Sequence, residues 1–213
     1  TFGSVYGGGM GMENHDAQER HGGEVSGNTT VNMSGTSAKV RASVYGGGEV
    51  AVVDGNTNVT ISGGEIGRNE VKAASNADPG YVLYGGATMG NVYGGGKGLL
   101  QHTLTGLVKG NTNVTINAGT EGQPFIYHNV YGGGALASVG TFSLSNGTDA
   151  PSYIPIAGVP YNWTANTGTA TVTITGGTIG ISGRDNGMVC GSSRGDISKP
   201  KIEIGRASCR ERV

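Results

Sequence analysis

The sequence predicts an all-β chain, a parallel β-helix or β-solenoid with glycine-rich corners. Three observations predict it. Glycine supplies 43 of 213 residues with no Gly-X-Y period and only 6 prolines, against about 7% glycine in ordinary proteins, which excludes collagen. The motif VYGGG recurs at Val5–Gly9, Val44–Gly48, Val92–Gly96 and Val130–Gly134, with imperfect copies at Leu83–Ala87 (LYGGA) and Val189–Ser193 (VCGSS). A Thr/Val/Ile-rich stretch alternates with it, at Gly27–Gly35, Gly55–Gly64, Gly110–Gly119 and Gly168–Gly177. Repeats of this kind are the signature of a stacked architecture.

Each element has a local reason. VYGGG reads as a strand end followed by its corner. Glycine there loses about 0.5–1 kcal/mol relative to alanine, which is tolerable only where a side chain would clash or φ must be positive. The Thr/Val/Ile stretches are period-2 strands: Thr57, Val59 and Ile61 share one face, Asn58, Thr60 and Ser62 the other. The first face is apolar enough to be buried and the second can be wet. The strand copies start at 27, 55, 110 and 168, which fits a basic coil of about 28 residues, sometimes doubled or lengthened by a loop. The shortest unit holds three extended stretches: the strand, then Ser43–Gly48, then Glu49–Gly55. Stacking places Tyr6, Tyr45, Tyr93 and Tyr131 in register along the axis, with Val5, Val44, Val92 and Val130 on the opposite side of the same sheet. Thr and Asn at matching positions form hydrogen-bonded ladders. Helical periodicity is absent; the best candidate, Met12–His21, has no apolar stripe.

Loop insertions fall near residues 11–24, 68–82 and 138–168 of a single solenoid spanning 1–203. The last ten residues, IGRASCRERV, read as a translated sequencing-library adaptor and are left out of the fold as a non-native tail. With Thr1 in place of a start methionine, the chain is expected to be an internal fragment. Removing Arg206, Arg210 and Arg212 from 14 Lys+Arg, and Glu211 from 15 Asp+Glu, moves the formal charge from −1 to −3. That balance offers no basic footprint for nucleic acid. Cys190 is then alone and cannot form an internal disulfide. No apolar run approaches the roughly 18 residues of a membrane helix.

Several site readings compete with blander ones. Lys97 in GGGKG lacks the Ser/Thr and the helix that a phosphate loop requires. The equivalent positions hold Met10, Glu49 and Ala135, which predicts a solvent-facing slot. The calcium β-roll nonapeptide is missing, so Asp185 and Asn186 read as solvated turn residues. His15, His21, Glu13, Asp16 and Glu19 cluster in one insertion that reads as a charged loop; His102 and His128 stand apart. No metal ligand set, cofactor or catalytic pair is expected. The sequons at Asn28, Asn58, Asn113, Asn146 and Asn162 follow from Asn/Thr-rich strands. The most irregular segment, Ser138–Gly168, carries Phe142, Tyr153, Tyr161 and Trp163. Tyr153, Tyr161 and Trp163 are the candidates for stacking on sugar rings, against a satellite core covering the coil edge.

Up to Glu203, the alternation GNTNVTISGGEIG … NVYGGG resembles the Gly-rich VYGGG-repeat regions of large surface proteins of gut anaerobic bacteria. The resemblance implies a secreted or surface-attached, adhesin-like β-solenoid at an extracellular or cell-surface location. Its partners would be host or microbial glycans, surface proteins and neighbouring repeats of the same parent chain. It carries over no catalytic residue. Two functions follow: a non-enzymatic structural and adhesive repeat region, or part of a carbohydrate-active parallel β-helix enzyme, a polysaccharide lyase or hydrolase. An enzyme would gather two carboxylates, or a carboxylate and a basic residue, into one groove. A spacer would show stacked Val/Ile/Thr columns and scattered charge.

Overall fold

The computed structural model describes residues 3–11, 22–67, 89–99, 105–120, 122–144, 163–165, 167–182, 187–195 and 206–211. Among them there is no helix, and all but two of the strands stack into three parallel sheets. One sheet is built from the VY dipeptides: β1 (Val5–Tyr6), β4 (Val44–Tyr45), β7 (Val92–Tyr93), β10 (Val130–Tyr131) and β15 (Val189–Cys190). The second holds the long strands β2 (Thr29–Met33), β5 (Thr57–Ile61), β8 (Thr112–Ile116), β13 (Thr169–Ile174) and β16 (Arg206–Glu211). The third holds the short strands β3 (Lys39–Val40), β6 (Glu65–Ile66), β9 (Phe125–Ile126) and β14 (Thr178–Ile179). The chain therefore runs VY strand, glycine corner, long strand, short strand, and back to the next VY strand. It completes this circuit four times and begins a fifth. This is the parallel β-helix that the repeats predict.

Pairing is in register at every level. Val31, Val59, Val114 and Val172 oppose one another, as do Met33, Ile61, Ile116 and Ile174. The long strands alternate as expected: Thr57, Val59 and Ile61 are buried, while Asn58 and Thr60 are partly exposed. Their inward side chains meet Val44, Val92 and Val130 of the VY sheet and Ile66 and Ile126 of the short sheet in one core. A fully buried residue of this size contributes about 1.5–3 kcal/mol.

Three sequence expectations change. The 28-residue spacing is one full coil, and the intervals of 55 and 58 are single coils lengthened by loops, because β5 pairs directly with β8 and β8 with β13. LYGGA at Leu83–Ala87 lies outside the described residues, and β4 pairs directly with β7 with no rung between. The third extended stretch is the dipeptide after the long strand (Lys39–Val40, Glu65–Ile66), not Glu49–Gly55. Glu49–Gly55 is held by isolated bridges at Glu49, Val50 and Val53, and Val50 sits at φ 67°. A β-branched residue in the left-handed region cannot continue a strand.

The excluded tail also enters the stack. The backbone of Arg206–Glu211 pairs with β13 through all six residues, in the place of a fifth long strand. An open strand edge offers unpaired backbone groups to any extended segment, whatever its side chains. Near the largest insertion a small antiparallel pair forms, β11 (Phe142–Leu144) with β12 (Trp163–Ala165). It leaves the stack between Gly140 and Gly168, at φ 107° and 100°, where a Cβ on either would strike the backbone of the opposite arm.

Candidate functional site: the tyrosine column and its ladders

In the second, third and fourth copies the VY dipeptide buries both of its faces. There the valines point into the main core and the tyrosines point the other way into a second one, with Ala135, while Val5 of the first copy is 36% exposed. The rings of Tyr6, Tyr45, Tyr93 and Tyr131 stack with centroids 4.7, 4.9 and 5.0 Å apart and planes within 8° of parallel. These spacings equal the usual separation of paired strands, about 4.8 Å. Register therefore dictates the stack, and each ring contact adds about 0.5–1.5 kcal/mol. The expected placement of the four tyrosines and four valines holds. Cys190 occupies the next position, opposite Tyr131.

Burial pushes the phenols of Tyr6, Tyr45 and Tyr93 well above their ordinary range. Glu49 adds to this at Tyr6, and the neighbouring ring Tyr6 adds to it at Tyr45. Burial thus favours the neutral phenol at these three rings. The Tyr131 hydroxyl accepts a hydrogen bond from Asn129 Nδ2 at 3.2 Å.

The glycine triplet has a different cause from the one that glycine usually signals. No triplet glycine has a positive φ. Instead, a Cβ on the first glycine of a triplet would strike the carbonyl oxygen of its counterpart one coil on: Gly7 against Gly46, Gly46 against Gly94, Gly94 against Gly132. The second glycine would meet the backbone nitrogen of the next coil's third: Gly47 meets Gly96 at 2.7 Å and Gly95 meets Gly134 at 2.8 Å. Real Cβ atoms do not approach so closely, so each triplet is a place where backbone rests on backbone.

Threonine locks this contact from the side. Thr29 Oγ1 donates to the Gly46 carbonyl at 2.5 Å, Thr57 to Gly94 at 2.5 Å and Thr112 to Gly132 at 2.6 Å, all buried. At the fourth level the position holds Ala170, which has no hydroxyl to donate. Two further ladders run along the axis. Before the long strands, Asn28 Oδ1 accepts from the Asn56 N–H, Asn56 from Asn111 and Asn111 from Thr169, at 2.7–2.8 Å. Before the VY strands, Ser43 Oγ accepts from the Asn91 N–H, Asn91 from Asn129 and Asn129 from Met188, at 2.8–3.1 Å. The expected Thr and Asn ladders are real, but most join a side chain to backbone. Asn58 and Asn113 supply a side chain-to-side chain step, at 3.1 Å on the wet face.

The predicted site residues are placed as follows. Lys97 stands in a parallel column with Met10, Glu49, Ala135 and Arg194, and its ammonium donates to Glu49 Oε1 at 2.6 Å. The slot is not uniformly solvent-facing: Met10 is 73% exposed, Glu49 and Lys97 are paired and less than one-third exposed, and Ala135 is buried beside Tyr131. Small and paired side chains fit there because the column borders the tyrosines. His128 Nδ1 lies 2.8 Å from Asn91 Oδ1, an amide oxygen that only accepts, so Nδ1 carries the proton. Tyr153, Tyr161, His15, His21, Glu13, Asp16, Glu19, His102, Asp185 and Asn186 lie outside the described residues; Trp163 is placed by its backbone at the start of β12. Sequence reasoning did not find the group Glu24, Asp54 and Lys109, brought together from three successive coils. Its only sequence signal is a charge flanking a repeated valine. Among the described residues no helix is long and apolar enough to cross a membrane.

No protein-family model, curated protein or solved structure matches the chain. Its functional reading rests on these residues.

Proposed function

We propose that the chain is a non-enzymatic structural and adhesive repeat region of a secreted or cell-surface bacterial protein. The stack acts as a rigid spacer, and its insertions carry the contacts to host or microbial glycans or to surface proteins. One observation carries this reading: the most faithfully repeated residues, tyrosine, the glycine triplet and the strand-leading threonine, all face other coils. The charge ladders agree with it, since Glu49 pairs with Lys97 and Lys39 with Glu65 across neighbouring coils. Contacts would come from the segment holding Tyr153, Tyr161 and Trp163, whose aromatic faces suit sugar rings.

Trp163 is the only tryptophan, so its fluorescence reports on that segment alone. Titration with a panel of soluble glycans is expected to shift it for at least one class, and Tyr161→Ala is expected to weaken that response. Incubation with the same glycans is expected to release no new reducing or unsaturated ends. Turnover of any polysaccharide would overturn the proposal in favour of a lyase or hydrolase.

A further inference from the structure

The outward face of the long-strand sheet carries no charged residue in its first four coils. Its positions are every second residue of 28–34, 56–62, 111–117 and 169–175. All sixteen are asparagine, threonine or serine, and none is buried. Other columns along the stack are mixed. The corner column runs Met10, Glu49, Lys97, Ala135 and Arg194, and the short sheet sets Lys39, Glu65, Phe125 and Thr178 in one row. The uncharged grid stops at β16, which brings Arg206 and Arg210 into register with Thr169 and Thr173.

Folding alone does not demand this restriction. Backbone contact fixes the glycine triplets, and hydrogen bonds to carbonyls fix the inward threonines. The first outward column is fixed as well, by asparagine oxygens that accept backbone N–H groups. The two middle columns point away from the core, where lysine or glutamate would fit equally well. Strands favour threonine and disfavour asparagine, yet Asn32, Asn58 and Asn113 stand there. The grid is also pre-organised. Pairing sets its side chains about 4.8 Å apart along the axis and about 6.7 Å apart along each strand. Threonine is stiff at χ1. Asn113 Nδ2 donates to Asn58 Oδ1 at 3.1 Å, which aligns two amides. The insertions near 11–24, 68–82 and 138–168 fall outside all four stretches, so the grid runs unbroken in sequence.

We propose that this face is a docking surface for an uncharged, extended polysaccharide lying along the stack. A neutral surface offers no attraction to nucleic acid, anionic glycans or strongly charged proteins. It suits a polymer of neutral sugar rings. Sugar hydroxyls donate and accept, as the hydroxyls and amides of the grid do. They also recur along the polymer, as the columns recur along the axis. Each hydrogen bond is worth only about 0.5–1.5 kcal/mol net, so affinity comes from repetition, and rigid side chains keep the cost of ordering low. The proposal rests on the adhesive reading above for its class of ligand, but it places the contact on the sheet and not on the segment of Tyr153, Tyr161 and Trp163.

The test is co-sedimentation of the purified full chain with insoluble cellulose, chitin and mannan, and with cross-linked polygalacturonate as an anionic polymer. Retention is expected on at least one uncharged polymer and not on polygalacturonate. Salt should leave it unchanged, because screening acts on charges. Thr60→Lys and Thr115→Lys should each weaken it about tenfold, the upper worth of one hydrogen bond, with the far-ultraviolet dichroism unchanged. Thr178→Lys, at an exposed position of the short sheet, should leave it intact. So should Tyr161→Ala, which reads the contact on the insertion. Loss in Tyr161→Ala with none in Thr60→Lys would place the polymer on the insertion and overturn the proposal. No retention on any uncharged polymer would overturn it even if the Trp163 response held. A dimer that Thr60→Lys dissociates would give the face to a second copy, and adsorption to growing ice without retention on polysaccharide would give it to frozen water; either would overturn the proposal.

Discussion

The glycine triplet and the two residues after it occupy one corner but obey different rules. In the triplet the first four coils use glycine throughout, and the fifth keeps Gly191 before Ser192 and Ser193; in those four, backbone of a neighbouring coil or of the coil's own return arm occupies the space of a side chain. One residue further on, Met10, Glu49, Lys97, Ala135 and Arg194 share a column whose side chains range from the exposed Met10 through the paired Glu49 and Lys97 to the buried Ala135. One further still, glycine at positions 11 and 98 has no positive φ, whereas Val50 and Leu136 hold φ 67° and 56°. Their backbones stay satisfied, since the Val50 N–H donates to the Lys97 carbonyl at 2.8 Å and that of Leu136 to Arg194 at 2.9 Å. Repetition thus marks a position where backbone meets backbone in every copy, whereas the column of Val50 and Leu136 mixes bulky residues at some strain with Gly98, where a Cβ would strike the Leu136 carbonyl.

This contrast can be broken at several points. The largest effect is expected at the triplet. Gly94→Ala sets a Cβ against the Gly132 carbonyl and should cost about 3 kcal/mol or more in chemical denaturation, the upper range for an overpacked core. Gly27→Ala, with nothing within 4 Å and no positive φ, should stay within about 0.5 kcal/mol. Equal costs at both positions would show that the triplet is not a contact point.

The tyrosine column gives the next effect. In Tyr45 and Tyr93 burial raises the phenol in the folded state, while the unfolded value stays at 10.0. The folded chain therefore keeps protons that the unfolded chain releases above pH 10. Stability should fall with rising pH from 10 upward, by about 1.4 kcal/mol per pH unit for each ring. Phenolate absorbance should accordingly appear with cooperative unfolding, followed by far-ultraviolet dichroism across the same pH range. Gradual ionisation of all the tyrosines near pH 10 in a folded chain would contradict the burial.

The threonine locks are smaller. Thr57→Val strands the buried Gly94 carbonyl and should cost about 1–3 kcal/mol, whereas Ala170→Thr restores the missing lock and should add about 0.5–1.5 kcal/mol. The smallest net change is expected at Val50→Gly. Relief of about 1–3 kcal/mol of backbone strain is offset by loss of about 1.5–3 kcal/mol from a buried valine. Thermal melts should show little change.

Much of this stack was legible in the residues. Alternation in GNTNVTISGG assigns Thr57, Val59 and Ile61 to the core, and the spacing of the VY dipeptides puts four tyrosines in one column. Other parts were hidden for physical reasons. A two-residue strand such as Glu65–Ile66 is too short to show a period, and it is a strand only because Lys39–Val40 and Phe125–Ile126 flank it. The glycine triplets suggest either unusual φ or close approach, and only neighbouring coils distinguish these. Glu24, Asp54 and Lys109 meet because loops of unequal length return the chain to one valine column, and no linear spacing announces that.

The central claim is that consecutive VYGGG copies lie side by side on consecutive coils. Paired cysteines at Tyr45 and Tyr93 test it most directly, with Cys190 and Cys209 replaced by serine. Adjacent in-register positions fall within the roughly 4.4–6.8 Å Cα separation that a disulfide needs, and positions two coils apart, at about 10 Å, do not. Mild oxidation should close a disulfide in Tyr45→Cys/Tyr93→Cys and none in Tyr45→Cys/Tyr131→Cys. Free thiols in the first pair, or equal closure in both, would contradict the register.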